Sequence, residues 1–264
     1  MDSLIKKQLK QIEKQENKFL SKEKNTFIQS KISPVREKIE GKIPEGLKTT
    51  LDAAFMKGFQ LVFVKGNGYI EKTYKKDQMQ LEHELNNYAV EKSLSKKYIK
   101  KLDKEANGSK RINSTLSIVE GGVLGALGIG LPDIPLFISV IMRTIYQVSL
   151  SYGYGYEKDK EKQYVLLLIC GAITYGEEQK EYNEKIDVLG EEIDQKTSLN
   201  DDLKEYIKVT SDLLSNSLLA AKFIQGIPIV GVIGGAVNYS MVSKIGKYAS
   251  IKYKKRYLLS KIKP

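Results

Sequence analysis

The sequence has very few of the residues that common catalytic and metal sites use. Its 264 residues include one cysteine, Cys170, one histidine, His83, and no tryptophan. A single cysteine excludes an intramolecular disulfide and any multi-cysteine metal site, and a single histidine excludes the usual two- and three-histidine zinc sites. Glu82 and Glu84 flank His83, but neighbouring helical side chains diverge by about 100° and make a poor chelate. We therefore expect no metal and no cofactor.

An apolar leader is also missing from the N-terminus, where Met1, Asp2 and Ser3 run into lysines, glutamines and glutamates. A lone thiol without an export signal predicts a reducing, cytoplasmic setting. The thiol follows Leu166-Leu167-Leu168-Ile169, and this apolar context predicts that Cys170 is buried and inert.

Strand patterns are scarce, because no long run alternates apolar and polar residues. Helical spacing is common instead. Residues 1–40 predict an amphipathic helix, and Glu16 occupies one position of its apolar stripe. Residues 203–221 follow the 3.6-residue period closely and predict a second amphipathic helix. We predict an all-α chain with one multi-helix domain over residues 41–243, preceded by the helix of residues 1–40 and followed by a basic amphipathic segment, residues 244–264.

Two apolar, glycine-rich stretches, residues 112–156 and 223–243, raise the question of a membrane span. The second has no charged residue and is long enough to cross a bilayer, but Pro228 and several glycines interrupt it. The first contains Asp133 and Arg143, each of which costs about 2.5–3.5 kcal/mol at a bilayer centre. The mean hydropathy of −0.33 is typical of a soluble protein. The sequence favours a buried helical core and leaves open a hairpin insertion or a full span.

Three ionisable residues in the first apolar stretch, Glu120, Asp133 and Arg143, form a candidate ligand site. Asp133 lies between prolines just before an apolar helix, so it either caps that helix or serves as a ligand or proton-handling group. Ten residues correspond to about 280° of rotation and 15 Å of rise, so Arg143 cannot pair with Asp133 in one straight helix. Its partner is therefore either Glu120 or an anionic headgroup.

The net charge of +11 is concentrated at the C-terminal end of the chain. Residues 244–264 contain eight basic and no acidic side chains, so the first 243 residues carry +3. Tyrosines and leucines between these cations predict contact with an anionic membrane surface, although single-stranded nucleic acid or a solvated helix would suit the same pattern. Lipid is favoured because the rest of the chain is nearly neutral and apolar. The predicted lipid-binding residues are Lys244, Lys247, Lys252, Lys254, Lys255, Arg256, Lys261 and Lys263.

Several motifs in order along the chain resemble those of the EcsC-like bacterial proteins. They are the run from Gly130 to Pro135, followed by Arg143 and by Tyr152-Gly153-Tyr154, and the late segment from Ile227 to Tyr239. An early Ala54-Phe55-Met56-Lys57-Gly58-Phe59 also fits. The resemblance extends over residues 45–257 and implies a helical bacterial protein, from a family named for its association with an ABC-transporter operon. It implies no particular reaction.

Together these observations predict a non-catalytic accessory protein at the cytoplasmic face of a bacterial membrane. It would bind anionic lipid or a membrane protein partner, such as a transporter. The alternative is a hydrolase that uses carboxylates near Asp133, with or without a metal ion, on a membrane-associated substrate. An integral membrane protein is the third possibility.

Overall fold

The computed structural model describes residues 2–21, 45–93, 96–106, 133–197, 202–224 and 235–262. These residues form ten α-helices and one π-helical turn, and none of them lies in a strand. The prediction of an all-α protein is confirmed, and the helices belong to a single domain.

In chain order the helices are α1 (Asp2–Ser21), α2 (Glu45–Leu61), α3 (Asn67–Glu71), α4 (Lys76–Ser93), α5 (Lys96–Ala106), α6 (Asp133–Ser151), α7 (Asp159–Ile173), α8 (Gly176–Gln195), α9 (Leu203–Ile224) and α10 (Gly235–Ser260). The π-helical turn Val62–Gly66 joins α2 to α3. The predicted helix over residues 203–221 is confirmed by α9, and the helix predicted over residues 1–40 is confirmed as far as Ser21. Residues 22–44 lie outside the described part.

The core is built around α6, α7 and α10. Helix α6 packs against α2, α4, α5 and α10, while α7 packs against α8, α9 and α10. From Tyr164 to Ile173 every residue of α7 is buried, because a helix that is apolar on most faces must be enclosed by others. Cys170 is 1% exposed, which confirms its predicted burial, and burial raises the pKa of its thiol to about 12.

One helix of the described part, at Ile134–Ser151, is long and apolar enough to cross a membrane by length and composition. Of that window, 83% is buried against the rest of the protein, so this helix is part of the core of the described fold. Residues 225–234 of the second apolar stretch lie outside the described residues, and α10 begins at Gly235. This helix continues without a break from residue 244 to Ser260, so most of the basic segment belongs to a packed helix.

Gly153 ends α6 in a way that no other residue type allows easily. Its φ is +84°, a left-handed conformation that favours glycine. The Tyr154 N–H donates to the Ser149 carbonyl at 2.9 Å, which closes the last turn of the helix. A Cβ on Gly153 would overlap the imidazole ring of His83. The glycine of the Tyr152-Gly153-Tyr154 motif therefore fixes how α4 approaches the end of α6.

Candidate functional site

The basic segment faces the interior of the protein. The side chain of Lys252 is 0% exposed, and its Nζ donates to Glu16 at 2.5 Å and to Asp187 at 2.7 Å. Lys255 binds the other oxygens of the same two carboxylates, each at 2.8 Å. These four residues, here called the four-charge cluster, connect α1, α8 and α10.

Burial and the two carboxylates have opposite effects on the pKa values of the two lysines. Burial lowers the pKa of Lys252, although Glu16 and Asp187 oppose the shift. Burial also lowers the pKa of Lys255, but its hydrogen bonds to the same carboxylates outweigh burial and raise the pKa overall. The removal of either carboxylate would leave a buried cation without full compensation, which is strongly unfavourable.

Arg256 forms a second buried ion network, between α10, α7 and α8. Its Nη1 and Nη2 donate to Glu161 at 3.0 and 2.8 Å, and its Nε and Nη2 donate to Asp194 at 2.9 and 2.7 Å. The guanidinium also lies 4.2 Å from the centroid of the Tyr154 ring. Because planar guanidinium matches two carboxylates and an aromatic face, Arg256 ties three helices together.

The structure places most of the predicted lipid-binding cations in contacts within the protein. Of the eight predicted cations, Lys252, Lys254, Lys255, Arg256 and Lys261 form ion pairs with carboxylates of other helices. Lys244 lies 4.0 Å from the centroid of the Tyr175 ring, Lys247 is exposed, and Lys263 lies outside the described residues. A side chain with no exposed surface cannot reach a headgroup in this conformation. Lipid binding by this segment stays a prediction that would require a rearrangement.

Arg143 is buried, at 7% exposure, in the apolar helix α6. It lines a cleft of about 210 Å³ together with the phenol of Tyr74, the amides of Gln78 and Gln147, and the carboxylate of Glu82. The hydroxyl of the partly buried Tyr74 lies 2.6 Å from that of the buried Tyr156. Lys75 and Met79 also line the cleft, so its walls carry both polar and apolar groups.

Of the three residues of the predicted ligand site, only Arg143 has a side chain in the described part of the structure. Helix α6 begins at Asp133, as the proline-flanked break predicts, but the side chain of Asp133 and all of Glu120 lie outside the described part. In the described part, no group of three or more His, Cys, Asp or Glu residues is placed to hold a metal ion. The ligand site and the carboxylate-dependent hydrolase stay predictions.

A different surface, on α4 and α5, is both basic and apolar. Helix α5 packs inward through Ile99 and Leu102, which are 1% and 0% exposed. Its other side carries five exposed lysines around an open depression of about 410 Å³, here called the lysine face: Lys96, Lys97, Lys100, Lys101 and Lys104.

The neighbouring helix α4 carries an unusual amount of exposed apolar surface. Leu81, Leu85 and Tyr88 are 55%, 62% and 61% exposed, and their spacing places them on one side of the helix. We call them the apolar stripe. Helices α4 and α5 are consecutive and packed against each other, so lysine face and apolar stripe belong to the outside of one helical pair. Because of the role proposed for them below, the two together are called the docking surface.

The sequence gives little indication of the docking surface, because charged residues are spread along the whole of residues 69–105. The available signal is local. In the eleven residues of α5, Ile99 and Leu102 mark the inward side, and five of the other nine residues are lysines. The leucines of α4 suggested core positions, although Met79, Asn86 and Val90 occupy the buried side instead.

The described structure defines a class of protein: an all-helical domain whose central helices are pinned by buried ion pairs, with a basic and apolar helical pair on its surface. The model of the EcsC protein family matches residues 6–258 of this chain. The chain therefore belongs to the EcsC family, which confirms the resemblance, and the match includes most of α1 as well. No curated protein and no solved structure matches the chain.

Proposed function

We propose that this protein is a non-catalytic accessory protein that docks on the cytoplasmic face of a bacterial membrane through its docking surface. The observation that carries the proposal is the pairing of the lysine face of α5 with the apolar stripe of α4. Two further basic residues, Lys110 and Arg111, follow α5 closely in the sequence. The docking surface replaces the basic segment as the predicted lipid contact.

Charge complementarity favours anionic lipid as the occupant of this surface. A lysine near an anionic leaflet contributes about 1 kcal/mol, so the lysine face supplies up to about 5 kcal/mol if all five side chains reach the headgroups. The apolar stripe adds a second contribution, because exposed leucine and tyrosine side chains leave water when they enter the headgroup boundary. Stable membrane association generally requires two such signals.

Co-sedimentation with vesicles tests this function. Wild-type protein should bind vesicles that contain anionic phospholipid and should bind much less to neutral vesicles, with an affinity that falls as salt rises. Replacement of all five lysines of the lysine face by glutamine should weaken binding at least about tenfold. The matched control replaces five exposed lysines outside α4 and α5 by glutamine: Lys57, Lys158, Lys185, Lys204 and Lys208.

Both variants lose five positive charges. The control therefore distinguishes binding through the docking surface from binding that depends only on net charge. A loss confined to the lysine-face variant supports the docking surface. Equal losses would mean that overall charge drives binding, and no binding by the wild type would overturn the proposal. Leu81→Gln with Leu85→Gln should weaken binding in a way that salt does not change, because the apolar contribution is not screened.

A further inference from the structure

Helix α1 is attached to the rest of the described structure along a narrow seam. It packs against α10 and, to a lesser extent, α8. Ile5, Ile12 and Phe19 are the buried apolar side chains, with Gln8 and Glu16 buried between them. The seven-residue spacing of the apolar three is that of a contact line between two helices. These three side chains supply the fully buried apolar contacts of the 20-residue helix, and Glu16 adds the ion pairs of the four-charge cluster.

The outward side of α1 is strongly basic. Leu4, Leu9 and Leu20 lie partly buried and pack against the core, and the remaining side exposes five lysines, Lys6, Lys7, Lys10, Lys14 and Lys18. A helix with an apolar stripe and a lysine-rich opposite side is the kind that lies in the surface of an anionic membrane. The apolar side chains of α1 can therefore leave water in two places, the seam with α10 and a lipid surface.

Glu16 decides between these two places. In the seam its carboxylate binds Lys252 and Lys255 at 2.5 and 2.8 Å. In lipid the same carboxylate would lie among the apolar side chains of α1, where an unpaired charge is unfavourable. The seam is therefore the resting position.

An anionic surface competes for both sides of the Glu16 contact. Its phosphate groups can replace the carboxylate on Lys252 and Lys255, and its field attracts the lysines of α1. When α1 leaves the seam, its apolar side chains lose their contacts with α10 but become buried in lipid instead. These two contributions offset each other, so the ion pairs of Glu16 control the exchange.

We propose that α1 is a releasable membrane anchor, which the four-charge cluster holds on α10 until an anionic lipid surface displaces it. This inference rests on the proposed membrane association, but its residues differ from those of the docking surface. The two proposals can therefore fail separately.

The test compares Lys255→Gln with Lys247→Gln in the full chain. Both variants lose one positive charge from α10, and Lys247 is exposed outside the cluster. General electrostatics predicts slightly weaker binding to anionic vesicles for both. Release of α1 predicts instead that Lys255→Gln binds about threefold more tightly than Lys247→Gln, since a weaker resting contact raises the released population.

A fluorescent reporter shows whether α1 itself moves. Because the chain has no tryptophan, Leu4→Trp provides a single indole emission signal on α1 in each background. The emission should shift to shorter wavelength when vesicles of mixed neutral and anionic phospholipid are added, and the shift should begin at lower lipid concentration in Lys255→Gln. Circular dichroism establishes that each variant is folded.

A second pair of variants covers the case in which Lys255→Gln does not fold. Glu16→Gln removes a carboxylate of the cluster, whereas Glu13→Gln removes an exposed one from the same helix. Tighter vesicle binding by Glu16→Gln than by Glu13→Gln supports the anchor. Equal binding within each pair, an unchanged indole emission from the reporter, or self-association of the released variants without vesicle binding would overturn it.

The vesicle-binding experiments with these variants also distinguish the two proposals. If the lysine-face variant loses binding while Lys255→Gln behaves like Lys247→Gln, the docking surface stands and the anchor is wrong. If Lys255→Gln gains binding while the lysine-face variant matches its own control, the anchor stands and the docking surface is wrong.

Discussion

Helices α5 and α10 are both rich in lysine, but the two helices use their cations in opposite ways. On α10, Lys252, Lys254 and Arg256 are at most 8% exposed and bind carboxylates of other helices. On α5, five lysines surround an open depression at the surface. The density of basic residues along a sequence therefore does not distinguish a structural ion network from a docking surface. The position of the carboxylates in the fold does.

The carboxylates that bind α10 come from four other helices. Glu16 lies on α1, Asp103 on α5, Glu161 on α7, and Asp187 and Asp194 on α8. The first 243 residues, which are nearly balanced in charge overall, thus supply the carboxylates that bind the cations of α10. Burial makes these pairs difficult to break, since a lone buried charge is far less stable than an exposed one.

The largest expected effect is on stability, and it tests the difference between the cations of α10 and those of α5 directly. Arg256→Ala should lower the free energy of unfolding by about 3–5 kcal/mol, because Glu161 would remain buried without its partner. Lys100→Ala on the lysine face should change it by no more than about 0.5 kcal/mol. Chemical denaturation of both variants measures the difference. If the two losses were similar, α10 and α5 would not differ in the way described. Arg256→Lys should restore only part of the stability, since an ammonium cannot pair with two carboxylates in the same bidentate geometry.

A smaller effect tests how α4, which carries the apolar stripe, is attached to the end of the core helix α6. Gly153→Ala combines a left-handed backbone with a Cβ that would overlap the His83 ring. Gly176→Ala provides the control, because Gly176 also has a positive φ of +63° but has no atom within 4 Å of the position that a Cβ would take. The backbone cost of about 1–2 kcal/mol is common to both, so the extra loss in Gly153→Ala measures the contact between α4 and the end of α6. Equal thermal shifts would mean that His83 moves aside without cost.

Much of the fold followed from the sequence because helical periodicity and turn residues are local signals. The apolar helix α6, the buried thiol of Cys170 and the period of α9 are all local in this sense. The partners of α10 were not predictable in the same way, because Lys252 and Glu16 are 236 residues apart. A hint was present in the position of Glu16 within an apolar stripe, since a carboxylate there needs a buried cation. No local signal identified which lysine would supply it.

The docking surface illustrates the opposite difficulty. Leu81 and Leu85 have the composition of core residues, and only the packing of α4 through Met79 and Val90 shows that they face outward. The lysine face was visible in the sequence but was outweighed by the larger positive charge of residues 244–264. A count of charges along the sequence selects the longer basic segment as the lipid contact. The exposure of each cation depends instead on which sides of its helix are covered by neighbouring helices.

The smallest expected effect concerns His83, which lies where α4 meets α10. Its Nδ1–H donates to the Ser151 carbonyl at 3.0 Å, and its ring packs edge-on against Tyr257 with centroids 6.0 Å apart. Burial lowers the pKa of His83, the Ser151 carbonyl opposes this shift, and the positive charge of Lys261 adds to it. The folded protein therefore holds His83 neutral at pH values where the unfolded chain already binds a proton.

This difference gives stability a defined dependence on pH. Because the unfolded state binds more protons as the pH falls through about 6.5, the stability that neutral His83 provides is present above that pH and is lost below it, by at most about 1.4 kcal/mol per pH unit for one proton. The glutamine of His83→Gln can still donate to the Ser151 carbonyl but does not titrate. The free energy of unfolding of this variant should therefore change less than that of the wild type between about pH 7.5 and 5.5, above the range in which most carboxylates titrate. Denaturation midpoints of both proteins across this range measure the effect. If the two curves had the same slope, other groups would control the pH response, and the junction of α4 with α10 would not depend on a neutral His83.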